Sequence, residues 1–99
     1  MTEDLRSVRD LERADWGDGD LTDDDIEHNN RVRAGWAAEA VLTMARETGL
    51  LSACNNEDID TAIGDLLGNL AHLCDLTGLN FADLIERGLT HYHDETEEP

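Results

Sequence analysis

Apolar residues recur every three or four positions in the second half of this chain, and that spacing is the strongest constraint on its fold. One stripe continues over about four helical turns and comprises Ile59, Ile63, Leu66, Leu67, Leu70, Leu73 and Cys74. No segment of Val, Ile and Thr alternates with polar residues over the length of a strand, and proline occurs only at Pro99. The pattern therefore predicts an all-α fold.

Capping residues indicate where the first two helices begin and end. A short helix is predicted over residues 4–14. A second helix is predicted over residues 23–48, with Thr22 as its N-cap and Gly49 at its end. The apolar face expected on this second helix comprises Val32, Trp36, Ala40, Val41 and Met44.

The third and fourth helices are predicted from the same kinds of signal. The third carries the long apolar stripe, follows a cap at Asn55 or Asn56, and ends at Gly78. Asn80 is the predicted N-cap of the fourth helix, with Asp83 at its third position. The inner face expected on the fourth helix comprises Phe81, Leu84, Ile85 and Leu89.

Short connections make neighbouring helices antiparallel, so the expected fold is a small antiparallel three- or four-helix bundle in a single domain. Gly64 and Gly68 lie beside the long stripe, and a close contact with another helix would explain them. A core built from fewer than about 100 residues is marginal, which keeps a homodimer open as an alternative. The predicted organisation is a short helix plus acidic loop over residues 1–20, a helical core over 21–94 and an acidic tail over 95–99.

Charge limits the partners that this chain can bind. Its 24 Asp and Glu residues face seven Arg and no Lys, which gives a net charge of −17. Direct binding to nucleic acid or to an anionic membrane is excluded, since both need cationic groups. Residues 1–27 hold 11 acids and three Arg, residues 28–56 hold two acids and three Arg, and residues 57–99 hold 11 acids and one Arg. The negative charge is therefore concentrated at the two ends of the sequence.

A cytoplasmic location is expected from the absence of export signals. No apolar run is long enough to span a bilayer, and the first residues lack the basic and apolar regions of a secretory signal. Disulfides are uncommon in such a compartment, so a bond between Cys54 and Cys74 is not expected. Cys74 lies in the apolar stripe and is predicted to be a core residue.

Residues with metal-binding or catalytic chemistry do not form a familiar pattern. The acidic segment 15–27 does not fit an EF-hand, because Thr22 stands where a loop starting at Asp18 needs an acid. His91 and Glu95 share a helix face, but no third ligand lies near them in the sequence. No catalytic residue, metal or cofactor is therefore predicted.

Residues 58–95, two helical segments joined by a Gly-Leu-Asn turn, resemble the second half of the MazG-type all-α nucleotide pyrophosphohydrolases. The resemblance implies a helical hairpin and, in that family, magnesium held by a Glu-x-x-Glu on one helix and a Glu-x-x-Asp on the next. Asp65 matches the last of these ligands, whereas Ala62 stands at the Glu position of the same motif. The preceding helix offers Glu39 and Glu47, which are eight residues apart. A pyrophosphohydrolase, active or degenerate, is the enzyme alternative.

In size, charge and helical content the chain resembles phage-encoded acidic proteins that mimic nucleic acid, among them anti-CRISPR and restriction-blocking inhibitors. That resemblance implies a non-enzymatic protein that occupies a basic, nucleic-acid-binding surface of a partner, because helical carboxylates displace the same counterions as phosphates. Trp16 is expected to be an exposed anchor of this interface. The predicted partner-binding residues are Asp15, Trp16, Asp18, Asp20, Asp23, Asp24, Asp25, Glu27, Asp58, Asp65, Asp75, Asp83 and Glu86.

A salt-adapted structural or regulatory helical protein is a further alternative. Many Asp residues and no Lys keep a surface hydrated at high salt, so this composition also fits that class of protein.

Overall fold

A computed structural model describes residues 5–17, 19–22, 25–52 and 56–97. Most of these residues belong to four helices: α1, Val8–Arg13; α2, Ile26–Thr48; α3, Ile59–Thr77; and α4, Phe81–Thr96. No strand occurs within the described ranges, where extended backbone pairing is limited to two isolated bridges, Ser7 with Asp58 and Leu51 with Asn56. The long helix α2 contacts the other three, and α3 contacts α4. The predicted all-α helical bundle is confirmed.

The N-cap of α2 differs from the prediction. Asp25 caps the helix by accepting a hydrogen bond from the backbone N–H of His28 at 3.0 Å. Thr22 instead pairs with the side chain of Asn29, which accepts from the Thr22 N–H at 2.7 Å and donates to its carbonyl oxygen. Asp25, the residue directly before the helix, is therefore the N-cap. The backbone of Thr22 is held to α2 by the side chain of Asn29.

The remaining helix ends mostly agree with the prediction. Gly49 and Gly78 end α2 and α3 in the left-handed conformation, with φ of 80° and 74°, and Asn80 caps α4 by accepting from the Asp83 N–H at 3.0 Å. The N-cap of α3 is Asp58, not an asparagine. Asn56 accepts from a backbone N–H in α1 instead, and Asn55 lies outside the described residues.

The hydrophobic core lies between α1, α2 and the beginning of α3. Its buried members are Val8, Leu11, Ala38, Val41, Leu42, Ala45, Leu51 and Ala62. Backbone hydrogen bonds tie α1 to the start of α3: the Val8 N–H donates to Glu57 at 2.8 Å, and the Ile59 N–H donates to Arg6 at 2.9 Å. The N-terminal segment is thus part of the core.

The buried face of α2 agrees with the prediction only in part. Val32 and Val41 are buried as predicted, whereas Trp36 is 55 % exposed and Ala40 is also exposed. Ala38, Leu42 and Ala45 are buried instead, so the covered face is rotated around the helix from the predicted one.

The far end of the bundle is open. Cys74 is buried and free, as predicted for a core residue, but α4 has no buried residue at all. Ile85 and Leu89, predicted to face inward, are 39 % and 53 % exposed. The close helix contact expected at Gly64 and Gly68 is wrong, because no neighbouring atom lies within 4 Å of a Cβ placed there.

The end of α4 is anchored to α2, which corrects the predicted boundary of the acidic tail. Glu95 lies within α4 and forms an ion pair with Arg33 at 2.9 Å. Its backbone carbonyl accepts a hydrogen bond from Asn30 at 3.0 Å. Within the part of the chain that the structure describes, no helix has the length and apolar character needed to cross a membrane.

Candidate functional site

The acidic segment before α2 is held against that helix by its backbone. The carbonyl oxygen of Asp15 accepts from the Arg31 guanidinium, and the carbonyl oxygen of Asp20 is 2.8 Å from Nε2 of His28. Asp15 and Asp20 are both exposed residues. These contacts hold the backbone of Asp15 and of Asp20 beside α2.

The other acids predicted in this segment have different positions. Glu27 is exposed in the first turn of α2, where the helix dipole favours negative charge. Asp25 is exposed and caps the same helix. The remaining predicted acids of this segment lie outside the described residues: Asp18, Asp23 and Asp24.

Trp16 is not the exposed anchor that the sequence predicted. Its ring is half-buried against the core, and its Nε1–H donates to the carbonyl oxygen of Leu11 at 3.1 Å. Gly35 makes this position possible, because a Cβ there would be 2.6 Å from Cβ of Trp16. The missing side chain at Gly35 is the only sequence signal for this contact.

The second predicted set of acids lies on or beside α3 and α4, and every member is exposed: Asp58, Asp65, Asp75, Asp83 and Glu86. Asp83 and Glu86 are three residues apart in α4 and so share one face of the helix. Asp65 and Asp75 are ten residues apart in α3, a rise of about 15 Å along the axis. Helical geometry therefore spreads these carboxylates over a long surface.

Three ion pairs between described residues involve acids outside the predicted set. Glu12 accepts from Arg46 at 2.8 Å and lies 4.0 Å from Arg9, and Glu95 pairs with Arg33. The Glu12–Arg46 pair joins α1 to α2, and the Glu95–Arg33 pair joins α4 to α2. The described arginines in these pairs thus support the fold rather than neutralise the predicted surface.

The carboxylates compared with the pyrophosphohydrolase motif line different grooves. Asp65 lies in a groove between α2 and α3 with Met44 and Thr48, whereas Glu39 lines a cavity beside Trp16. Ala62 is fully buried in the core. Among the described residues, no three His, Cys, Asp or Glu side chains come close enough to hold a metal ion.

A second surface, which the sequence did not predict, consists of exposed apolar side chains on the α3–α4 hairpin. We call it the hairpin surface, and its members are Ile63, Leu67, Leu70, Leu73, Leu79, Ile85, Leu89 and Tyr92. Exposure ranges from 39 % at Ile85 to 58 % at Tyr92. Leu76 is 87 % exposed but lies nine residues after Leu67 and therefore on the opposite side of α3. Helical spacing predicts that such residues share a face, but it does not predict whether anything covers that face.

Comparisons with protein-family models, with curated proteins and with solved structures give no match to this chain.

Proposed function

We propose that this chain is a non-enzymatic acidic protein that occupies a basic, nucleic-acid-binding surface of a partner protein, in the manner of a nucleic-acid mimic or an anti-CRISPR-like inhibitor. The observation that carries the proposal is the fixed display of carboxylates. Asp15 and Asp20 are tied to α2 through their carbonyl oxygens, and the second set of acids is exposed on α3 and α4 or at their boundaries.

A fixed display of carboxylates matters because it reduces the conformational entropy that is lost on binding. Long flexible side chains and loops lose conformational entropy when an interface forms, whereas carboxylates on helices are already held in place. Asp and Glu have short side chains, so the helix backbone largely sets the positions of Asp65, Asp83 and Glu86. When a basic channel binds such a surface, counterions held by both surfaces are released into solution. The same release occurs when the channel binds the phosphates of nucleic acid.

The distribution of positive charge also supports the proposal. Residues 57–99 contain Arg87 alone against 11 acids, so α3 and α4 present a strongly negative surface. Association with a basic partner is then accelerated by long-range attraction and is sensitive to salt.

The test begins with partners captured from a lysate of the source organism by the immobilised chain. Each captured protein is purified, and its affinity for duplex DNA is measured with and without a saturating amount of this chain. We expect the chain to release the DNA, and we expect added salt to weaken the complex between chain and partner. Captured partners that keep their full affinity for DNA contradict the proposal.

A matched pair of double variants separates a specific surface from general acidity. Asp65→Asn with Glu86→Gln removes two exposed charges from α3 and α4 and is expected to weaken binding by roughly tenfold. Glu39→Gln with Glu47→Gln removes the same charge from exposed positions on α2 and is expected to have a much smaller effect. Equal losses from both pairs contradict the placement of the interface on α3 and α4.

A further inference from the structure

The apolar face of α4 is only partly covered by the described residues of the chain. This 16-residue helix separates apolar from polar residues clearly, yet none of its residues is buried. A helix of that length is marginal in water without tertiary packing of its apolar face. Phe81 and Leu84 are only half-buried, and Leu89 is 53 % exposed. The described contacts within the chain therefore leave much of the apolar face of α4 in water.

The molecule as a whole exposes more surface than a compact chain of its mass. Its accessible area is 7271 Å², whereas a compact monomer of 11.0 kDa is expected to expose about 5,600 Å². Its radius of gyration is 15.0 Å, against about 13 Å for a compact domain of this length. The eight side chains of the hairpin surface are each 39–58 % exposed. A stable interface buries ~800 Å² on each partner, and an apolar cluster of this size can supply a large part of that area.

The carboxylates of Asp65 and Asp83 are placed away from the apolar stripes. Asp65 is two residues from both Ile63 and Leu67, which is a rotation of about 200° around the helix axis. On α4, Asp83 stands two residues before Ile85 and is therefore rotated away in the same manner. An apolar occupant can cover these stripes while the carboxylates stay in water.

We propose that the hairpin surface is the interface between two copies of this chain, whose α3 and α4 helices form a four-helix bundle about a two-fold axis. Both helices carry apolar residues at the spacing i, i+4, i+7: Ile63, Leu67 and Leu70 on α3, and Ile85, Leu89 and Tyr92 on α4. Two identical hairpins with matching stripes are self-complementary, as a two-fold interface requires. Asp65 and Asp83 lie on other sides of the helices from this interface, whereas Glu86 is three residues before Leu89 and borders it.

Sedimentation equilibrium of the full chain over a wide range of concentrations tests the proposal. We expect a mass twice the 11.0 kDa of one chain. Leu70→Gln with Leu89→Gln is expected to raise the dimer dissociation constant at least about tenfold. Leu73→Gln changes a side chain that is 56 % exposed, so it tests the surface with less disturbance to the packing of the monomer. Circular dichroism verifies that each variant keeps its helix content.

The control is Leu21→Gln, because Leu21 is 45 % exposed but lies outside the hairpin surface. A parent chain that is monomeric at all concentrations overturns the proposal and leaves the surface to a different occupant. A dimer that survives the hairpin variants overturns it as well. Salt distinguishes the two proposals: screening strengthens association of like-charged copies, whereas it weakens binding to a basic partner. Either proposal can thus fail while the other stands.

Discussion

Two helical glycines illustrate how strongly the surroundings of a residue decide its role. Gly35 lies against the Trp16 ring, and a Cβ there would be 2.6 Å from Cβ and 3.0 Å from Cγ of that side chain. Gly64 has no neighbouring atom within 4 Å of the same position. In the sequence alone both are glycines within predicted helices, and nothing there separates them.

Substitution by alanine is expected to change stability in opposite directions at these two sites. Gly35→Ala should destabilise the fold by about 1–3 kcal/mol, because Trp16 must move away from the core. Gly64→Ala should stabilise it by up to about 1 kcal/mol, because the helix gains propensity without a clash. Urea unfolding followed by circular dichroism measures both values, and changes of the same sign would contradict the packing described for Trp16.

At the scale of the element, α1 is a helix of six residues that cannot be stable alone. Two long-range backbone hydrogen bonds and the burial of Val8 and Leu11 hold it in place. Its first turn is also fixed by Asp10, whose Oδ2 accepts from the backbone N–H groups of Ser7 and Arg6, each at 3.1 Å. These two donors, Ser7 first, hold the pKa of Asp10 below its usual value of 3.8.

The lowered pKa of Asp10 predicts how the free energy of unfolding changes at low pH. A carboxylate whose pKa is lower in the folded state stabilises the fold above its unfolded pKa, and this contribution is lost as pH falls through the folded pKa. Asp10→Ala should therefore lower the free energy of unfolding at pH 7, and parent and variant should converge as the pH falls well below 3.8. Urea unfolding across this pH range gives the difference. Glu47→Ala serves as the control, and a constant Asp10→Ala difference at all pH values would contradict the assignment.

The helix α4 shows the limit of periodicity as evidence. The spacing of Phe81, Leu84, Ile85 and Leu89 defines one apolar face, and the structure contains the predicted helix with its Asn80 cap. The spacing also suggests burial, but the core lies at the other end of the molecule. A stripe therefore specifies which side chains point together, while only the arrangement of the helices decides what covers them.

At the scale of the whole molecule, packing is uneven along its length. The buried residues of α2 face α1 and the start of α3, whereas α4 contributes none. Regions with few buried contacts open locally at a lower free energy than the core does. The two ends of this bundle should consequently differ in stability.

Amide hydrogen exchange measures this difference in local stability between the two ends of the bundle. In dilute solution, where a dimer dissociates, amides from Ala38 to Ala45 should exchange slowest and those from Leu84 to Leu89 much faster. Raising the protein concentration should slow exchange in α4 if copies associate through the hairpin surface. Equal protection of both segments in the monomer would contradict the uneven packing.

The sequence by itself determined the helices and most of their ends, because period, caps and C-terminal glycines act within a few residues of one another. It placed Cys74 in the core and the carboxylates at the two ends of the chain, and the structure leaves the described members of that acidic set exposed. Two N-caps were wrong by three or fewer residues, since several neighbouring polar residues could serve.

Only the tertiary structure decided which stripe of α2 is buried, that Trp16 packs on Gly35, and that the hairpin surface stays uncovered. Each of these depends on contacts between residues far apart in the chain, such as those between α1 and the start of α3. Local spacing carries no information about such contacts. Burial is a property of the assembled helices, and in this assembly α4 keeps its apolar face largely exposed.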